Sequence, residues 1–239
     1  MQGKKGACFT RLTSSNLWYG AQAKEMKRLY KGVLQFQESY FKKERKFFRR
    51  LSNKQEPDVL FITCADARVY PTLVTQSKPG ELFIVRNVGN IVPPYGSIQD
   101  KNSVAAALEF AVMKLKVTDI IVCGHSNCGA MQALAGDGQA LSHMPHLRDW
   151  LQVASPVRDA VDKYYAASSG KSHQRVLEEV NVLTQLKNIQ TYPFVTEALE
   201  KEELFLHGWY YEIVSGRVYI YDPHSNIFKN LVFHEQENI

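Results

Sequence analysis

Two stretches of nearly unbroken apolar residues frame this 239-residue chain: Val59-Leu60-Phe61-Ile62-Thr63-Cys64 within residues 58–64, and Ile120-Ile121-Val122-Cys123 within 118–124. Continuous runs of this length, without polar alternation, suit strands buried on both faces of a parallel sheet. Pro79-Gly80 marks a turn, 81–86 a further strand, and 87–96, rich in Gly, Asn and Pro, a loop. A helix is predicted over 103–115 with Ser103 as its cap, and another from about Asn127 to Leu134. After a loop over 136–145, helical patterns occupy 146–165 and 173–190, and a short helix starts at Pro193. The end of the chain reads as a β-hairpin, 204–214 and 217–222, with a tight turn at Ser215-Gly216.

Upstream, Leu29, Tyr30, Val33, Leu34, Phe36, Phe41, Phe47 and Phe48 recur near helical spacing among charges, predicting one long helix or two shorter ones over 26–51. A breaker follows at 53–57. The fold class expected is α/β: a mainly parallel central sheet flanked by helices, with an N-terminal helical arm and a C-terminal β-hairpin. The chain shows no internal repeat.

Length and composition refine that picture. A hydrophobic share of 45% supports one full-sized domain, and no apolar run reaches the ~18 residues of a spanning helix, so no membrane partner is expected. The net charge of +5 is uneven: residues 1–50 hold 13 Lys/Arg against 3 Glu, leaving 16 against 21 for 51–239. Such a basic segment can mark a nucleic-acid arm. Tyr30, Phe36, Tyr40, Phe41, Phe47 and Phe48 make it too apolar for a free arm, so a solvated helix face or a basic helix packed on an acidic partner subunit is favoured and no nucleic acid is expected. Residues 1–25 carry Lys4, Lys5, Arg11 and Lys24 and no acid before Glu25; they lack the apolar core of a secretory signal and form an extension of unknown role, with Met26 an alternative start. Of the four cysteines, Cys64, Cys123 and Cys128 lie in or beside apolar strands. That usage fits a reducing, cytoplasmic setting with cysteine as metal ligand or buried hydrophobe.

Both apolar runs end in reactive residues: Cys64-Ala-Asp66-Ala-Arg68, and His125-Ser-Asn-Cys128-Gly129. In open α/β sheets, sites gather at the carboxyl ends of strands. Residues two apart on an extended strand share a face, and residues three apart at a helix start are neighbours. Cys64, His125 and Cys128 therefore make a zinc triad with an open fourth position, the mark of a catalytic site. Two thiolates weaken the ion's acidifying effect, so a hydrogen-bonding neighbour is needed. Asp66, held ionised by Arg68, can accept the hydrogen of a zinc-bound hydroxide and aim its lone pair; alternatively Asp66 itself fills the fourth position at low pH, an acid-off switch. Either motif alone is a weak signal, since His-x-x-Cys and Asp-x-Arg commonly occur as core or surface pairs. Their occurrence at the ends of two buried strands is what carries weight. His143, His146, His173, His207, His224 and His234 show no ligand spacing, and Cys123 should be inert within its strand.

These motifs resemble those of the beta-class carbonic anhydrases, namely Cys-x-Asp-x-Arg and His-x-x-Cys-Gly. Pro79-Gly-Glu-Leu-Phe83, Arg86-Asn-Val-Gly-Asn90, Val92-Pro-Pro-Tyr95 and His207-Gly-Trp209 also look like family landmarks, and the likeness runs from about Met26 to about Asp222. Leu183-Thr-Gln-Leu-Lys-Asn-Ile and Thr191-Tyr-Pro-Phe are similar to the plant and cyanobacterial branch. The resemblance implies zinc on Cys64, His125 and Cys128, an Asp66–Arg68 catalytic dyad, and a pocket lined by Phe83 and Val88. It implies that Gln55 reaches the site of a neighbouring subunit and that the Gly129 N–H holds a substrate oxygen. The expected activity is reversible hydration of carbon dioxide to bicarbonate and a proton, serving carbon utilization. The expected organisation is an extension over 1–25 and one α/β domain over 26–239, whose arm over 26–52 packs on the partner of a homodimer or dimer of dimers. Three positions depart from the pattern: Ala67 stands where serine is frequent, Phe110 where the plant branch has a pocket tyrosine, and Phe61 where bicarbonate-inhibited relatives have tryptophan. The last predicts no bicarbonate allostery. Hydrolysis of carbonyl sulfide or carbon disulfide at the same site, an idle zinc scaffold, and nucleic-acid binding through 42–50 are the rival readings.

Overall fold

A computed structural model describes residues 24–97, 102–165 and 170–232; Cys8, His234 and nearly all of the extension lie outside them. The chain divides into two compact units between Gln55 and Glu56.

In the first unit the helical pattern resolves into α1 (Lys24–Gln35), a wider π-type stretch over Phe36–Phe41 and α2 (Arg45–Leu51). Phe36, Tyr40, Phe41 and Phe48 form one ring cluster, with Phe41 and Phe48 5.1 Å apart between centroids. Leu29, Tyr30, Val33 and Leu34 on α1 remain exposed.

The second unit contains β1 (Val59–Cys64), α3 (Pro71–Val74), β2 (Leu82–Asn87), α4 (Ser103–Glu109), β3 (Asp119–His125), α5 (Gly129–Ala135), α6 (Pro145–Gln152), α7 (Ser155–Tyr165), α8 (His173–Gln190), α9 (Pro193–Glu200), β4 (Phe205–Glu212), β5 (Arg217–Asp222) and β6 (Ile227–Asn230). The six strands found among the described residues form one sheet in the order β2-β1-β3-β4-β5-β6. β2, β1, β3 and β4 run parallel, while β5 and β6 are antiparallel additions. The mainly parallel α/β fold read from the sequence is the fold observed.

Burial follows the sequence logic. β1 and β3 are buried along almost their whole length, whereas the edge strand β2 alternates. Leu60, Ile62, Ile120 and Val122 pack with residues of α4, α8 and α9 in the principal core. The opposite face carries a smaller cluster of strand residues, with Phe61, Ile121 and Cys123 at its centre.

The structure corrects several local expectations. The 103–115 helix is capped by Asn102, whose Oδ1 accepts the N–H groups of Val104 at 3.0 Å and Ala105 at 3.3 Å, rather than by Ser103. Beyond α4 it continues in π-type turns over Phe110–Leu115 and stops at Lys116, which takes a left-handed conformation. The pattern over 146–165 is two helices: Val153 and Ala154 make short-range bonds to Trp150 and Leu151, and Pro156, lacking an N–H, can follow only at a new helix start. The connection between β4 and β5 spans four residues, 213–216, closed by the Gly216 N–H on the Glu212 carbonyl. β6 was not foreseen, because it buries only Phe228 and so lacks an alternating signal. Asp222 organises the preceding turn by accepting from the His224 N–H at 3.0 Å and from Ser225 Oγ at 2.6 Å.

Candidate metal centre

The two reactive strand ends meet because β1 and β3 are adjacent and in parallel register, with Ile62 opposite Val122 and Thr63 opposite Cys123. Past His125 the chain turns at Asn127, which adopts φ 55°, a left-handed conformation that Asn tolerates better than most residues. The turn leads into α5 and sets Cys128 back beside His125.

Cys64, His125 and Cys128 are all buried, and their donor atoms lie within 4.8 Å of one another. The Cys64 and Cys128 sulfurs are 4.0 Å apart. That is far beyond a disulfide bond of ~2.05 Å, and close to the ~3.8 Å edge of a tetrahedron with metal–sulfur bonds of ~2.3 Å. His125 Nδ1 is 3.0 Å from the Ser126 carbonyl, which fixes the ring with its other nitrogen free to ligate. That other nitrogen, Nε2, is buried and has no hydrogen-bond partner. An orphaned imidazole nitrogen facing two thiols is a costly arrangement unless a cation occupies the space between them. The donor set fits zinc. Without metal, the hydrogen bond between the two sulfurs lowers the Cys64 pKa and raises that of Cys128, so the pair retains a proton that zinc would displace.

Asp66 stands beside this triad, with Oδ2 3.9 Å from His125 Nε2. Arg68 grips it as a fork, Nε to Oδ1 at 2.9 Å and Nη2 to Oδ2 at 2.7 Å, while the Arg68 backbone N–H also donates to Oδ1. These hydrogen bonds hold the Asp66 carboxyl well below the usual carboxylate range. Arg68 Nη2 also donates to the Asn127 carbonyl at 3.0 Å, tying the dyad to the His125–Cys128 turn. Arg86 on β2 donates to the carbonyls of Cys64 and Asp66 at 3.1 and 2.7 Å.

The remaining residues expected at the site are distributed around this nucleus. Gly129 follows Cys128 as the first residue of α5, and a Cβ added there would meet nothing within 4 Å. Val88 is exposed next to Gly89, whose N–H donates to Cys64 Sγ at 3.4 Å. Phe83 on β2 and the exposed Phe110 face each other with ring centroids 5.9 Å apart. Gln55 is the last residue of the N-terminal unit and is exposed. Cys123 is buried in β3, and burial pushes its thiol up to about 12, which fits the expected unreactive thiol. His207 pairs with Asp119 at 2.7 Å.

Sequence reading missed the polar face of α8. Glu178 is 2% exposed; its Oε1 accepts the Cys128 N–H at 2.8 Å and its Oε2 accepts the Tyr210 hydroxyl at 2.9 Å. Burial raises its pKa, and the donors from Gln174, Cys128 and Tyr210 oppose that rise. Asn181 Nδ2 donates to the Gly89 carbonyl at 2.9 Å, and Gln185 Oε1 accepts the Val92 N–H at 2.8 Å. The signal was present in Gln174, Glu178, Asn181, Gln185 and Asn188, whose spacing of four and three places them on one helical face amid apolar residues.

Comparison with known proteins agrees with this geometry. A family model described as carbonic anhydrase matches residues 59–218. A carbonic anhydrase of Synechocystis is 44% identical over 197 residues, spanning 82% of this chain and 71% of that protein. One of Pseudomonas aeruginosa is 42% identical over 211 residues, spanning 88% and 94%. Among solved structures, the beta-carbonic anhydrase CcaA superposes with a TM-score of 0.81 at 43% identity, covering 87% of this chain and all of that one. Two tetrameric beta-carbonic anhydrases from Sordaria macrospora are represented at TM-score 0.72 and 28% identity, covering 82% and 96%. The likeness spans the whole of the sheet from β1 to β4 and both donor loops, and on it the chain belongs to the beta-class carbonic anhydrases.

Proposed function

We propose that this chain catalyses the reversible hydration of carbon dioxide to bicarbonate and a proton. The observation that carries the reading is a buried Cys64–His125–Cys128 triad with the ionised, Arg-held Asp66 carboxylate 3.9 Å from the unpartnered imidazole nitrogen. Zinc held there supplies Lewis acidity that lowers the pKa of a coordinated water toward ~7. The protein's own part is orientation. Because Asp66 is ionised it can only accept, so it takes a hydrogen bond from the attacking oxygen and turns a lone pair of that oxygen toward the substrate carbon. Arg68 keeps Asp66 charged and fixes both of its oxygens. The Gly129 N–H, in uncrowded space beside Cys128, receives the developing charge on a substrate oxygen, with Gln55 of a neighbouring subunit as its companion donor. Phe83, Val88 and Phe110 supply an apolar wall for a small nonpolar gas, and the phenylalanine at 110 leaves that wall without a hydroxyl.

The exposed apolar positions of α1 and the basic, aromatic segment beside them suit an arm laid across a second copy, giving a homodimer or dimer of dimers. The description of the Sordaria relatives as tetrameric supports assembly beyond a monomer. No helix among the described residues is long and apolar enough to cross a membrane, and the thiol ligands suit a reducing, cytoplasmic setting. Phe61, buried edge-on against Trp209 at 5.8 Å between centroids, stands where bicarbonate-inhibited relatives carry tryptophan, which supports the absence of a bicarbonate effector site; cooperative bicarbonate inhibition would contradict this.

Stopped-flow carbon dioxide hydration by the zinc-loaded protein tests the reading. The expected result is fast turnover that rises from neutral to moderately alkaline pH. Slow turnover at every pH with zinc bound would overturn it, and faster consumption of carbonyl sulfide than of carbon dioxide would reassign the same centre to thiocarbonyl substrates.

A further inference from the structure

Cys64 ends β1 and Cys128 stands at the start of α5, and beyond the strand register a third element, α8, bonds to the chain beside both. Glu178 on α8 receives the Cys128 N–H at 2.8 Å, and Asn181, three residues on, donates to the Gly89 carbonyl at 2.9 Å. Gly89 in turn donates its N–H to Cys64 Sγ at 3.4 Å. α8 therefore holds the Cys128 side of the centre with one side chain and the Cys64 side with another, along a single rigid helix. Both anchors are themselves anchored. Glu178 accepts Gln174 Nε2 at 2.6 Å and the Tyr210 hydroxyl at 2.9 Å, and Asn181 Oδ1 accepts Gln185 Nε2 at 2.8 Å. Glu178, Asn181 and Gln185 are at most 2% exposed, so water cannot replace these bonds cheaply. Gly89 also lies close against α5: a Cβ there would lie 3.1 Å from the Ala130 Cβ and 3.3 Å from Met131 Cε.

A carboxylate buried without a cationic partner within its hydrogen-bonding shell is expensive to keep. A helix needing only adhesion to the sheet would use an apolar residue here, as it does at Val176, Leu177, Val180 and Val182. We propose that Glu178 is a positioning residue of the metal centre: with Asn181 it clamps the Cys128 and Gly89 backbones at a fixed separation and so sets the spacing of the two thiolate donors. It touches neither substrate nor metal and acts through the Cys128 amide.

This inference rests on the zinc reading of the triad, and the zinc content of the wild-type protein separates failure of that reading from failure of the clamp. The test compares Glu178→Gln, Glu178→Ala and Tyr210→Phe in the full chain. Zinc release to a chelator is followed, together with the thiolate-to-metal and d–d absorption of the cobalt-substituted protein. Glutamine keeps the shape and an acceptor for the Cys128 N–H, so E178Q should release zinc at close to the wild-type rate with an unshifted cobalt spectrum. E178A should bind zinc roughly 10–100-fold more weakly, the loss of affinity typical when residues supporting metal ligands are removed, and so release it faster, with displaced d–d bands. Y210F, which removes one donor to the carboxylate at almost constant volume, should fall between them. Wild-type release and spectra in both E178A and Y210F would overturn the proposal. If E178A fails to fold, Y210F decides alone, and unchanged release in it refutes the clamp. A loss in E178Q as large as in E178A would also overturn it, because then charge rather than position is what the centre needs.

Discussion

Asp66 shows how much of this site is local chemistry. Its partner Arg68 is two residues away, and the same oxygen that accepts the guanidinium also accepts the Arg68 backbone N–H, so the pair organises itself within one turn of chain. Asp66→Asn preserves shape while removing the charge and one acceptor. Turnover should fall roughly 10²–10³-fold while zinc content stays at the wild-type level, measured by stopped-flow and metal analysis on the same sample; an active Asn variant would remove Asp66 from the mechanism. The cysteines divide just as clearly. In a Cys8→Ser background, a thiol reagent should find no reactive cysteine in the zinc form. It should find Cys64, whose thiol is lowered to about 4, after chelation, and the buried Cys128 and Cys123, whose thiols are both pushed up, only on unfolding. Reaction of Cys123 in the folded protein would contradict its placement in β3.

Among the elements, α8 is decisive. It packs on β3 and β4 so closely that a Cβ at Gly124 would lie 2.7 Å from Val182 Cγ2, and one at Gly208 3.1 Å from Leu186 Cδ1. These glycines are needed for close approach of helix and sheet rather than for a turn. Gly124→Ala should destabilise the protein by about 1–3 kcal/mol through overpacking, read from urea unfolding, and Val182→Ala in the same chain should recover part of that loss. Full additivity of the two changes would mean that the helix has room to shift. The strands β1 and β3 and the general placement of the main helices were legible because continuous apolar runs and helical spacing reflect burial directly. The cap at Asn102, the break before Pro156 and the strand β6 were less so: each turns on one hydrogen bond or one buried ring, which no window of residues averages into a signal.

For the whole molecule, the basic charge of residues 1–50 and the exposed aromatics within 26–52 belong to a single proposal, the arm of a dimer. A chain beginning at Asn53 should lose self-association in light-scattering measurements, and a truncated chain of unchanged mass in solution would show that other surfaces hold the assembly. What the sequence determined by itself is most of the elements and the chemical identity of the centre, because apolar runs, a glycine and reactive side chains at strand ends are local facts about neighbours two to four residues apart. What only the tertiary structure decided is the geometry that makes those side chains one site. The parallel register of β1 and β3 brings the sulfurs of Cys64 and Cys128 to 4.0 Å across 64 residues of chain. Glu178, a further 50 residues along, reaches back to the Cys128 amide. Contacts of that separation are fixed by the packing of whole elements against each other, and the physical reason is that no local preference of Glu178 distinguishes a solvated carboxylate from one buried against the metal loop.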